Sequence, residues 1–188
     1  MLDLRHIRPD SLTMKSLRIL SIFALGAVVC SAALAQSSGE KFIRAFYAKD
    51  DALMLKMDFA GWRKQKMEMS TSDYVAYGKP GKTGQTTKKT RADEFKGMDQ
   101  VIPMIDSVPK SLTHVDHLTI GSTTILATVT SSGEMKTKKL PQDGKSHIFG
   151  GTTTTIDTWV KVGGSWKMKM TKTLSDKMLL DGKPMPGM

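Results

Sequence analysis

Two long β-forming runs joined by a Gly-Gly pair constrain this chain more than any other feature. Ile148 to Val162 and Trp166 to Leu174 are rich in Thr, Val, Ile and Trp, and Gly163-Gly164 lies between them. A two-residue hairpin whose twist matches its strands needs φ > 0 at both central positions, which glycine adopts without steric cost. Such a turn dictates register: Val162 opposite Ser165, Lys161 opposite Trp166, Trp159 opposite Met168 and Asp157 opposite Met170. Strands this long need further strands beside them and a layer over one face.

The rest of the chain supplies both. Leu112 to Ile120 and Thr123 to Thr130 are β-rich and are separated by Gly121-Ser122, a tight turn. Gly133 and Pro141-Gln142-Asp143-Gly144 bound another stretch with Met135 and Leu140. Upstream, Phe42, Ile43, Phe46, Tyr47, Leu53, Met54 and Met57 recur at helical spacing. Asp50-Asp51 falls between the two apolar clusters and can cap a second helix, which predicts helices at 39–49 and 51–60, the second stopped by Gly61. Trp62 to Tyr77 suits one or two strands, and Gly78 to Gly84 a turn or mobile loop. A third helix fits Thr90 to about Ile105, with Thr90 as cap, Asp93-Glu94 in the first turn and Phe95, Met98, Val101 and Ile102 as its apolar stripe. Pro103 would kink or shorten its end. Helices first and long antiparallel strands last make an α+β domain, a bent sheet with helices against one face.

The first residues carry a different message. Lys15 and Arg18 precede an apolar run from Ile19 that ends in Ala33-Leu34-Ala35, the small-x-small pattern of a secretory signal. The run is shorter than the ~20 residues of a spanning helix, so no stable membrane anchor is expected. Residues 1–35 therefore read as a signal peptide with its core at 14–35, cleaved near Ala35-Gln36. Residues 36–188 then form one domain, periplasmic or secreted. Either Met1 or Met14 could be the start. Cys30, the single cysteine, lies in the leader, so residues 36–188 can form no disulfide. A net charge of +10 admits nucleic acid or anionic lipid as partner. The lysines are spread, however, and no aromatics interleave with them at regular spacing, so no nucleic-acid partner is expected. The 14 methionines suit an irregular core or pocket lining better than a metal box.

Three segments resemble the nuclear transport factor 2-like (SnoaL-like) superfamily. Lys41-Phe42-Ile43-Arg44-Ala45-Phe46-Tyr47-Ala48-Lys49-Asp50-Asp51 is similar to the family's opening helix and the acidic break after it. Asp116 to Gly121 followed by Thr124 to Val129 resembles its first long hairpin, and Asp157 to Met168 its closing hairpin. The resemblance spans most of residues 39–178. It implies a cone-shaped curved antiparallel sheet packed on N-terminal helices, the NTF2-like or cystatin-like roll. It further implies an apolar hollow for a small apolar molecule or a protein partner, and a homodimer through the sheet. Catalytic members include isomerases and hydratases with a carboxylate, often beside a Tyr or His, inside the cone. Fold does not settle function, and enzymatic activity stays open.

The candidate catalytic residues are Asp157, Asp116 and His114. Burial raises a carboxyl pKa and can set it to work as acid or base near neutral pH. His114-x-Asp116 shares a face if its strand is regular, although exposed strand ends also carry such pairs. Asp157, flanked by threonines, is the better pocket candidate against an ordinary place in sheet packing. Tyr47, Trp62, Tyr74, Asp157 and Trp159 are the candidate pocket residues, each with plain core or rim packing as the alternative. His114 and His117 differ by an odd number and should point to opposite faces, so no metal site is expected. No phosphate-binding glycine loop or nucleophilic serine motif occurs, and no cofactor is expected.

Overall fold

The structure, a computed structural model, describes residues 38–79 and 85–185. The leader expected over residues 1–35, the cleavage expected near Ala35-Gln36, and residues 80–84 of the glycine-rich loop lie outside the described residues.

The first helix, α1, is described over 38–55 and runs unbroken through Asp50-Asp51, which corrects the two helices expected at 39–49 and 51–60. Both aspartates find partners outside their own helix and so cap nothing. Asp50 Oδ1 lies 3.0 Å from Lys66 Nζ. Asp51 accepts from the Thr113 amide at 2.7 Å and from the Ser111 and Thr113 hydroxyls, each at 2.9 Å. The break comes at Met57, whose φ is 56°, and Asp58 caps α2 (Phe59–Glu68) by accepting from the Gly61 amide at 2.8 Å. Gly61 is thus part of the first turn and stops nothing. A Cβ there would stand 2.3 Å from Asp58 Oδ2, so only glycine lets the cap close this tightly. The strand expected from Trp62 begins only at Ser70. Trp62 to Glu68 is helical, and its inner face is partly polar: buried Gln65 donates to the Phe46 carbonyl at 3.1 Å. A helix whose buried residue is a glutamine shows no apolar periodicity.

After β1 (Ser70–Tyr77) and β2 (Lys88–Thr90), α3 spans Arg91–Val101. Its N-terminus is the expected one: Thr90 and Asp93 form a reciprocal capping box. Pro103 ends it in a single 3₁₀ turn, Ile102–Met104. The remainder is strand: β3 (Ile105–Ile120), β4 (Thr124–Thr137), β5 (Ile148–Val162), β6 (Ser165–Leu180) and β7 (Lys183–Pro184). β3 and β4 run beyond the expected ends because ladder pairing overrides the local preferences of Pro109 and Gly133, and β6 continues past Leu174 to Leu180 in pairing with β5. The sheet order is β2-β1-β6-β5-β4-β3, with β7 on β6; only β1 and β6 pair parallel. The sheet is curved and unclosed, the α+β cone expected.

Gly163 and Gly164 have φ of 56° and 83°, and the pairs Val162–Ser165, Lys161–Trp166 and Trp159–Met168 form as the turn dictates. Below them a bulge intervenes. Thr158 pairs with Met170, Lys169 is skipped, and Asp157 faces Thr171 instead of Met170. The skipped residue is a lysine whose Nζ lies 3.7 Å from Asp73 of β1. A second irregularity, between Val115 and His117, resets alternation in β3.

The core lies where α1 crosses the concave face. Trp159 is fully buried and meets the edges of Phe42, Phe46 and Tyr47 at centroid distances of 5.6, 4.7 and 6.4 Å. At Gly39 a Cβ would come within 3.1 Å of Ile125, so glycine permits the helix to sit this close to the sheet.

Candidate functional site

Beyond that aromatic plug, towards the C-terminal half of α1, the concave face holds an open cavity of 440 Å³. Tyr47 and Asp50 come from α1, Trp62 and Lys66 from α2, and Arg91 and Glu94 from α3. Val129, Asp157 and Thr171 come from the sheet. Inward residues alternate along β5, so Thr155 and Asp157 face the cavity at a spacing of two.

Asp157 is 4% exposed, and Tyr47 donates its hydroxyl to Asp157 Oδ2. Burial pushes the Asp157 carboxyl above the ordinary carboxylate range; the Tyr47 bond, the nearby Thr171 and Thr155 hydroxyls and Lys66 only partly offset it. Burial also raises the Tyr47 phenol, and the Asp157 charge adds to it. Oδ1 of Asp157 closes no hydrogen bond, for neither threonine reaches it with bonding geometry. A buried carboxyl oxygen without a partner costs stability, and such groups concentrate at functional sites.

Charged pairs line the rest of the wall. Lys66 faces Asp50, an ion pair without hydrogen-bond alignment, and stands 5.0 and 5.7 Å from the Phe46 and Trp62 ring centroids. Arg91 pairs with Glu94, donates to Ser70 Oγ at 2.7 Å and lies 3.5 Å over the Tyr74 ring. The Tyr74 hydroxyl donates to Glu94 at 3.2 Å, and burial followed by the Glu94 charge pushes its pKa up to about 12. These tyrosines hold their protons at neutral pH and act as hydrogen-bond donors.

Of the candidate pocket residues, Tyr47, Trp62, Tyr74 and Asp157 line this one cavity. Trp159 does not line it; it lies behind Tyr47 as core. His114 and Asp116 lie elsewhere, with side chains 73% and 37% exposed on the outer face of β3, 3.9 Å apart. Asp116 accepts from the Thr130 hydroxyl at 2.7 Å. The irregularity before His117 leaves His117 exposed beside His114, so the two do not take opposite faces. Sequence reasoning missed Lys66, Arg91 and Glu94 as site residues. Thr90 capping had been visible and sets where Arg91 and Glu94 fall on α3, but which way that helix faces depends on its docking.

No protein-family model matches the sequence, and no curated protein matches it. Solved structures do. A candidate scytalone dehydratase from Novosphingobium aromaticivorans DSM 12444 aligns with a TM-score of 0.52 at 16% identity, over 77% of this chain and 89% of its own. LinA aligns with a TM-score of 0.53 at 12% identity, over 83% of this chain and 95% of its own. Together with the helices-then-cone order, these likenesses decide the architecture. The fold is nuclear transport factor 2-like. Within this fold the concave cavity holds the one buried carboxyl among the described residues, Asp157.

Proposed function

We propose that residues 36–188 are an exported pocket domain that holds a small, mostly apolar molecule in the cone, with Asp157 and Tyr47 as its polar anchor. The observation that carries this reading is the buried carboxyl–phenol pair facing a 440 Å³ cavity, with one oxygen left without a partner. That volume falls within the range of small-molecule sites, and the side chains of Trp62, Met98, Val101, Val129 and Met168 give the cavity apolar surface between the polar groups that would orient a ligand. Export rests on the leader at 14–35; N-terminal sequencing of the exported protein should begin at Gln36, and a retained Met1 or Met14 overturns it. Calorimetric titration with 4-ethylphenol, a ring with one hydroxyl, tests the pocket. Saturable binding is expected. Asp157→Asn keeps an acceptor and should bind within about threefold, whereas Asp157→Ala should lose about tenfold, the worth of a hydrogen bond to a buried group. Equal binding by all three proteins overturns the anchor.

The unpartnered Oδ1 favours a second reading, a proton-transferring isomerase or hydro-lyase; the alignment to a candidate scytalone dehydratase adds the fold. Ionised Asp157 would take a proton from a carbon beside a carbonyl through Oδ1, with Oδ2 held by Tyr47, and return it to a neighbouring carbon or to a departing hydroxyl as water. Exchange of the α-hydrogens of cyclohexanone in D₂O, followed by NMR, tests it. The protein should accelerate exchange and Asp157→Asn should abolish the acceleration while still binding 4-ethylphenol; exchange at the buffer rate overturns this reading. A homodimer through the outer face of the sheet, where Leu126 is 42% exposed, is a separate proposal that light scattering decides, with a monomer counting against it.

A further inference from the structure

The concave face does not end at the cavity. Along β5 the inward residues continue from Thr155 to Thr153, Gly151 and Phe149, and these last three line a second hollow of 220 Å³. The two hollows share Ser131 of β4 as a lining residue. Asp157 lies six residue steps from Gly151 along β5, roughly 20 Å at strand rise. The composition changes along that path. The first hollow is ringed by Asp50, Lys66, Arg91, Glu94 and Asp157, whereas the second carries fewer charges, Lys110 and Glu134, and is walled otherwise by Met54 of α1, Met135 of β4, Phe149 of β5 and Met178 of β6. Three unbranched thioethers from three separate elements make a wall that adapts to a flexible apolar guest.

Its floor is a pair of glycines in register, Gly133 and Gly151. Gly151 has a structural reason: a Cβ there would sit 2.6 Å from the Lys177 carbonyl oxygen. Gly133 has none of that kind. A Cβ at Gly133 would meet only the Lys110 carbonyl oxygen, at an ordinary 3.4 Å, and its φ is not in the left-handed region. A glycine in mid-strand weakens the strand and marks places where something else approaches the backbone. Here it keeps the hollow open in line with the charged cavity.

From this continuity we infer that the second hollow takes the linear alkyl or acyl tail of the ligand whose polar head lies at Asp157 and Tyr47, so that the ligand class is an elongated amphiphile with a hydroxyl- or carbonyl-bearing head. The inference rests on the pocket reading above and narrows its ligand. The described chain ends beside this hollow, where the Met185 amide donates to the Met178 carbonyl at 3.1 Å, so the last residues are the competing occupant.

Calorimetric titration of the purified protein with a 4-alkylphenol series, ethyl to octyl, separates the outcomes. Affinity should rise by roughly threefold per methylene, close to the worth of a buried CH₂. Gly133→Val places a β-branched side chain, favoured in strands, into the hollow. It should remove the gain from the octyl tail by at least about tenfold while the ethyl compound binds as before. An affinity that does not change with tail length overturns the inference and leaves the pocket reading standing, whether the last residues or a partner fill the hollow. Octylphenol binding unaltered by Gly133→Val also overturns it. If no member of the series binds, ethyl included, both readings fall. The length series on the unaltered protein decides the matter even if the variant does not fold.

Discussion

Asp157 and Asp116 sit on strands two apart in one sheet, yet they occupy opposite environments. Asp157 points into the cone, is almost fully buried and has a phenol as its partner. Asp116 points outward, is partly wet and accepts from a threonine. Both share a residue type, a strand setting and a Thr-rich neighbourhood. What differs is which side of the sheet the helices cover. Removing water is what raises a carboxyl pKa and makes its neighbours matter, so the inner face is where chemistry and stability are both concentrated.

The sharpest way to break this contrast is at the plug behind the site. Trp159→Ala should cost about 3–5 kcal/mol in guanidinium unfolding, the usual loss for a fully buried aromatic, while outer-face Leu126→Ala should cost well under that. Equal losses would mean that the concave face is not the core. Next in size, Tyr47→Phe leaves the Asp157 carboxyl without its donor and should cost about 1–3 kcal/mol. A smaller loss would show that the pair is not formed.

Asp157→Asn tests the sign of the burial effect. Its folded pKa is raised, so the folded state binds the proton more tightly than the unfolded chain. The stability linked to this group is fully present below the unfolded carboxylate pKa and is lost as pH rises through the folded value. The variant has no proton to lose. Its melting temperature should gain on the wild type between acid and neutral pH, and a constant gap across that range would contradict the assignment.

His147 offers a milder test away from the site. Its ring nitrogens each lie 2.7 Å from a carboxylate, Asp181 and Asp143, and the bond to Asp181, then that to Asp143, raises its pKa above 6.5. That contribution is present below pH 6.5 and fades as pH rises through the folded value. The melting-temperature gap between wild type and His147→Asn should therefore be wider at pH 6 than at pH 9; an equal gap refutes the clamp. Smallest of all, His114→Ala and Asp116→Asn should each stay within about 0.5 kcal/mol, as exposed surface changes do, and should leave 4-ethylphenol binding unchanged. A loss of binding there would move the site to the outer face.

That Tyr47 of α1 and Asp157 of β5 face inward was legible from helix periodicity and strand alternation, whereas Trp62 reaches the same cavity from a helix where a strand was expected. Lys66 was hidden because α2 turns a glutamine and a lysine inward, where a hydrophobic pattern would have announced a helix. Arg91 and Glu94 looked like ordinary residues of a well-capped first turn. They become cavity walls only once α3 docks with Phe95 against Trp62, 5.8 Å between centroids.

From its own residues the chain determined the Gly163-Gly164 turn, the pairings from Val162–Ser165 to Trp159–Met168, and the Thr90 cap of α3. Each depends on backbone geometry within a few residues, which side-chain type controls directly. Tertiary packing decided that α1 runs through Asp50-Asp51, that Lys169 is bulged so that Asp157 meets Thr171, and that His114 and Asp116 stay outside. Those outcomes depend on partners far away in sequence, Lys66 for Asp50, Ser111 and Thr113 for Asp51, Asp73 for Lys169, and no local propensity encodes a partner that only folding brings near.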